Sequence, residues 1–125
     1  MVKKYAVVIP TDASGDGTGY TPVVSGFVSA IRYVKSTYEN GVDVAITANT
    51  SGLAILTWTD VNASDDSYPR AATNTVADAA ALYASGGTAV LCPIPVADEA
   101  IKIVVSAASA TVARTGTFYV YVDGV

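Results

Sequence analysis

The sequence predicts an all-β fold: one antiparallel β-sandwich of jelly-roll or immunoglobulin-like kind over residues 1–125, with about eight strands and at most one short helix. Three observations predict it. Apolar and polar residues alternate over short runs at 42–48, 101–105 and 116–122, the period-two pattern of a strand with one buried face. Clusters of Gly, Asn, Asp, Ser and Pro separate these runs, and such residues turn the chain because they accept turn dihedrals or hydrogen-bond their own backbone. A chain of 125 residues also suffices for one core without disulfide or metal, whereas two domains of half that length would each be marginal.

Taken in order, residues 5–9 are an apolar run closed by Pro10, which reads as a first strand, buried or edge-paired up to the proline. Residues 11–19 hold three glycines and no large apolar side chain, so they form a surface loop. Asp12, Ser14, Asp16 and Gly17 imitate the start of a calcium-binding loop, but the twelfth position, where a glutamate belongs, is Val23. Residues 20–35 read as one long strand or as two joined at Ser25-Gly26, with Phe27, Ile31 and Tyr33 on one side and Val28, Ala30, Arg32 and Val34 on the other. A strand apolar on both faces belongs at the centre of a sheet. Asn40-Gly41 then turns the chain.

Residues 41–60 are the clearest hairpin, with Asn49-Thr50-Ser51-Gly52 as its turn. Two registers are open. If Asn49 pairs with Gly52, Ile46 faces Ile55 and Trp58 lies outside opposite Asp43; with one more loop residue, Ile46 meets Leu56, Val44 meets Trp58, and the indole joins the core. A one-residue slip exchanges the faces, so both hold only with a bulge.

Beyond Asp60 a polar stretch leads to Tyr68-Pro69-Arg70. Asn49-Thr50-Ser51 and Asn62-Ala63-Ser64 match the glycosylation triplet, but no secretion signal accompanies them. Residues 71–84 are the one helix candidate, with Thr75 and Asp78 as a cap, Gly86 as a stop, and Val76, Leu82 and Tyr83 tucked inward; the alternative is an irregular loop across one end of the sandwich. Residues 88–92 read as a strand stopped by Pro93-Ile94-Pro95, and 97–99 as a turn. In the next strand Ile101, Ile103 and Val105 alternate with Lys102, Val104 and Ser106. The small residues of 107–115 read as a flexible connection. The last strand sets Phe118, Val120 and Val122 against Thr117, Tyr119 and Tyr121, and the tyrosines form either a half-wet outer face or a contact surface.

Composition bounds the function. The chain is 51% hydrophobic and 14% charged, with a mean hydropathy of +0.41. So few charges fit a surface covered by a partner or by other copies, and fit equally a β protein rich in Ala and Val. A net charge of −4 and scattered Lys and Arg argue against a nucleic-acid partner. The single Cys92 forms no intrachain disulfide and reads as a small buried hydrophobe. The apolar run after Lys3-Lys4 is too short for a signal peptide, and no stretch reaches transmembrane length, so no membrane partner is expected and the chain is expected in the cytoplasm where it is made, or released by lysis.

No residue pattern carries chemistry. The chain has no histidine, so the commonest general base, metal ligand and triad member is missing. Asp60, Asp65 and Asp66 share one loop and Asp98 and Glu99 another, where they read as solvated turn residues. Gly15, Gly17 and Gly19 precede no helix and so lack what a phosphate loop needs. No catalytic, metal or cofactor residue is assigned.

Four segments then carry a resemblance: SGLAILT at 51–57 with Val61-Asn62, Tyr68-Pro69-Arg70-Ala71-Ala72, IKIVV at 101–105, and TGTFYVYV at 115–122. In this order and spacing they resemble small virion structural proteins of tailed bacteriophages, of the capsid decoration or cement type, over residues 23–123. The resemblance implies a non-enzymatic virion component made in the host cytoplasm, needing no cofactor, whose partners are the major capsid protein and copies of itself. On that reading Trp58, Tyr119 and Tyr121 are the candidates for apolar contact and Arg70 for a salt bridge to the shell. The alternatives are a tail, head-tail connector or receptor-binding virion subunit, and a carbohydrate-binding sandwich stacking sugars on Trp58 and the tyrosines.

Overall fold

A computed structural model describes residues 1–72, 81–82 and 84–124. Its strands are β1 (Val2–Pro10), β2 (Gly17–Tyr20), β3 (Val24–Val34), β4 (Val42–Ala48), β5 (Ala54–Val61), β6 (Asp65–Ser67), β7 (Arg70–Ala72), β8 (Leu91–Glu99), β9 (Ile101–Ser106) and β10 (Thr115–Asp123). A six-stranded sheet runs β1-β10-β3-β8-β7, with β6 also pairing β3, and a four-stranded sheet runs β2-β9-β4-β5. All pairings are antiparallel. Setting the three-residue β6 and β7 aside leaves β1-β10-β3-β8 packed on β2-β9-β4-β5, the interleaved order of a jelly roll and not of an immunoglobulin domain.

The inner faces meet in one core. Ile9, Val28, Ile31, Tyr33, Val42, Ile101, Ile103, Phe118 and Val120 are fully buried there. As the alternation requires, β4, β9 and β10 put their predicted sides inward. β3 is central, but its phase changes along its length. The β10 pairing shifts between Tyr121↔Ala30 and Val122↔Val28, so Ser29 is bulged and both Val28 and Ile31 turn inward while Phe27 is left exposed. A second irregularity at Ser25-Gly26 uses the glycine at φ +140°, where an added Cβ would lie 2.3 Å from the Asp123 carbonyl oxygen.

Three other expectations change. β8 runs straight through Pro93 and Pro95. The two prolines are two residues apart, so their missing N–H groups fall on one edge of the strand and the other edge keeps its donors. Cys92 is half-buried beside the Ala71 carbonyl and not a core residue. The helix candidate is only partly visible: Ala71 and Ala72 are strand, Leu82 is exposed and bridges Ala89, and residues 73–80 and 83 lie outside the described residues, among which there is no helix.

The 107–115 connection is pinned. Ala108 and Ser109 are buried, Ala108 donates to the Gly15 carbonyl and accepts from the Glu39 N–H, and the Ser109 hydroxyl accepts from Thr111 and Val112. Glu39 fastens this end of the sandwich by accepting from the Ala110 N–H at 3.0 Å. Glu99 fastens the opposite end by accepting from the Thr50 and Ser51 N–H groups at 2.7 and 2.9 Å. These bonds favour the charged forms, so both carboxyls sit below their usual range, Glu39 chiefly through the Ser109 hydroxyl and Glu99 chiefly through the Ser51 N–H.

Two outcomes follow from these contacts. Gly116 lies under the ring of Tyr38, where an added Cβ would sit 2.2 Å from Cε2, so Gly116→Ala should lower the unfolding free energy by about 2–3 kcal/mol in urea titrations. A depressed folded-state carboxyl contributes stability that is present above the unfolded-state value and lost as pH falls through the folded one. Stability should therefore fall below about pH 4, and the Glu39→Gln, Glu99→Gln double variant should flatten that acid limb when unfolding is followed against pH.

Candidate functional site

The outer face of the six-stranded sheet is where exposed aromatic side chains meet charge. Alternation along β10 sends Phe118, Val120 and Val122 into the core and so must send Thr117, Tyr119 and Tyr121 outward. Tyr119 stands between Ala6 of β1 and Arg32 of β3, and Tyr121 between Lys4 and Ala30. The alanines leave room for the rings to lie against the sheet. The Lys4 ammonium sits 5.1 Å from the centre of the Tyr119 ring, a cation–π contact.

Beside Tyr121 the face sinks into an open groove of about 250 Å³ lined by Ser29, Ala30, Ile31, Arg32, Asp66, Tyr68 and Tyr121. Tyr68 of the Tyr-Pro-Arg tripeptide builds its far wall. Pro69 is buried, and Arg70 Nη1 donates to the Pro69 carbonyl at 2.8 Å and to the Ser29 carbonyl at 3.3 Å, so the segment is tied down on both sides of its backbone. Tyr68, held by that anchor, stays 68% exposed. Arg32 Nε lies 3.7 Å from Asp66 Oδ1 at the rim; both are half exposed, so the pair adds little stability and its charges face outward.

The structure brings Tyr121, Arg70 and Tyr119 to this region and leaves Trp58 apart. Val44↔Trp58 and Ile46↔Leu56 follow the longer-loop register, and two bulges reconcile it with the ends of the hairpin. Ile55 is the extra residue at one. At the other, Asp60 has φ +56° and donates its N–H to Asp43 Oδ1 at 3.0 Å. Trp58 thus faces inward at the edge of the four-stranded sheet, half-buried, its ring 6.0 Å from that of Tyr33. No single platform joins Trp58 to the tyrosines.

Sequence reasoning missed Tyr68 as a contact residue and the Arg32–Asp66 rim, although Tyr68-Pro69-Arg70 belongs to one of the resembling segments. It missed Tyr38 as well, which is buried and donates to the Ile9 carbonyl at 2.6 Å. Burial raises the Tyr38 hydroxyl well above its ordinary pKa, with Tyr33 adding to the shift, and pushes Tyr33 up to about 12, so both stay neutral. In the 11–19 loop the Asp12 carboxylate accepts from the Ser14 and Asp16 N–H groups. Among the described residues no three His, Cys, Asp or Glu side chains gather where they could hold a metal ion, and no helix is long and apolar enough to cross a membrane.

Tyr68 lies outside the core. Tyr68→Ala should change the unfolding free energy by less than about 0.5 kcal/mol, whereas Tyr33→Ala should cost about 3–5 kcal/mol, a contrast that denaturant titration reads directly. No family model, no curated protein and no solved structure matches this chain.

Proposed function

We propose that this chain is a structural protein of a tailed-bacteriophage virion, a capsid decoration protein that stabilises the mature head by binding the major capsid protein. The resemblance of the 51–57, 68–72, 101–105 and 115–122 segments supplies the class. The single observation that carries a docking role is the groove flanked by Tyr68 and Tyr121, with the Arg32–Asp66 pair at its rim. Aromatic rings held on a rigid sheet give large contact area at little entropic cost, and a rim of paired charge gives direction. Weak charge elsewhere on that face suits many copies packed on a lattice.

Such a protein acts by mass action: what binds the mature shell and no competing state stabilises it. The purified chain should co-sediment with expanded heads and raise their melting temperature, and the Tyr68→Ala, Tyr121→Ala double variant should lose most of the binding while keeping its fold. Binding to isolated tails and not to heads would replace the decoration role by a tail role. No binding to either particle, or full binding by the double variant, would overturn the reading.

A further inference from the structure

We propose that two copies of this chain pair edge to edge through β1, extending the six-stranded sheet across a twofold axis near Ala6. Among the described residues the large sheet ends at β1 and β7, with the three-residue β6 leaving a further short edge, and the small sheet ends at β2 and β5. β2 has four residues and β7 three, and β5 is broken by two bulges. Short and bulged strands resist further pairing. β1 is different: it is nine residues long and pairs with β10 at every position from Val2 to Pro10 with no shift.

The hydrogen-bond parity of β1 fixes which groups its open side offers. The Thr11 N–H donates to the Arg114 carbonyl and the Gly124 N–H to the Met1 carbonyl, at the two ends of the same ladder. Odd positions therefore bond to β10. Val2, Lys4, Ala6 and Val8 turn their N–H and C=O groups away from it. These even residues are exposed, Val8 at 60%.

A second copy answers this edge with even positions opposite even ones, and the proposed register puts Ala6 on the twofold axis. With Ala6 opposite Ala6 of the partner subunit, Lys4 faces Val8 of the partner subunit, so every outward amide from Lys4 to Val8 finds an outward carbonyl. The aliphatic stem of Lys4 covers an otherwise exposed valine. Only at the ends does Val2 meet a proline that has no N–H. Lysines often guard open edges, yet here the two Lys4 side chains lie four residues apart across the axis, about 13 Å at strand spacing. That exceeds a Debye length of about 10 Å. Antiparallel pairing about such an axis keeps the same face of both sheets on one side, so the two tyrosine grooves would face one way and bind a lattice bivalently. The pairing itself stands independently of what the grooves bind.

Val8 is exposed and outside the core, so its substitutions test the register without threatening the fold. Sedimentation equilibrium of the isolated chain should show a monomer–dimer equilibrium. Val8→Lys sets lysine against Lys4 twice in each interface and should weaken the dimer about tenfold, while Val8→Glu sets opposite charges together and should strengthen it by a similar factor. Hydrogen exchange at Lys4, Ala6 and Val8 should slow as concentration rises. A chain that sediments as a monomer at every concentration, or a dimer indifferent to both substitutions, would overturn the proposal. Because these measurements use no phage particle, their failure would leave the docking reading where it stands.

Discussion

The sandwich depends on one aromatic stack between its sheets. Tyr33 of β3 packs on Phe118 of β10 with ring centres 5.1 Å apart, on Tyr38 at 6.1 Å and on Trp58 of β5 at 6.0 Å. These four rings tie the two central strands of the large sheet to the edge of the small one and to the β3–β4 connection. No disulfide helps, since Cys92 is the one cysteine. The same packing fixes the outside. In a strand, Tyr33 turned inward obliges Arg32 to turn outward, and Phe118 turned inward does the same for Tyr119. The outer face therefore inherits its geometry from the core at its back.

Strands that carry no extra residue were legible; strands that carry bulges were not. Periodicity alone gives the inner sides of β4, β9 and β10, because burial on one face selects every second residue. It fails in β3 at Ser29 and in β5 at Ile55 and Asp60, where an extra residue advances the phase. A bulge is a property of a pair of strands, and the pair is not written in either strand's own pattern. The jelly-roll order was hidden for the same reason: alternation names the face a residue takes and not the strand beside it. The small residues of 107–115 misled in another way. Ala108 is small because the backbones of Gly15 and Glu39 approach it, and not because the segment is loose.

The candidate site shows the same division. Tyr-Pro-Arg belongs to a resembling segment, and the structure gives the tripeptide a local logic: a buried proline, an arginine closing on two carbonyls, and a tyrosine thrust out by both. Sequence favoured Arg70 because charge is easy to see. The geometry ties the Arg70 guanidinium to two carbonyls while leaving the residue exposed, and adds the exposed Tyr68 beside it. Trp58 moves the other way, from a contact candidate to the rim of the core, because the hairpin takes the register that sets it opposite Val44. As the one tryptophan of the chain, its fluorescence then reports on the Tyr33 stack rather than on the outer groove.

Charge is scarce here, and where it sits matters more than its total. Asp12, Glu39 and Glu99 accept backbone N–H groups in the loops that close the two ends of the sandwich, Asp43 does so at the Asp60 bulge, and Asp65 accepts from Asp66. Loops need acceptors because their amides lie outside any ladder, and a carboxylate accepts two amides at once, as Asp12 and Glu99 do. Such bonds draw the acidic residues toward the ends and edges. Around Tyr119 and Tyr121 the outer face of the large sheet carries Lys4, Arg32 and Asp66 among alanines and valines, with Asp123 and Arg70 farther along it. With Lys4 over the Tyr119 ring and Arg32 beside Asp66, even these charges have partners on the chain itself. A face so built resists another neutral surface weakly, because acids that would repel one are drawn off to cap loops elsewhere.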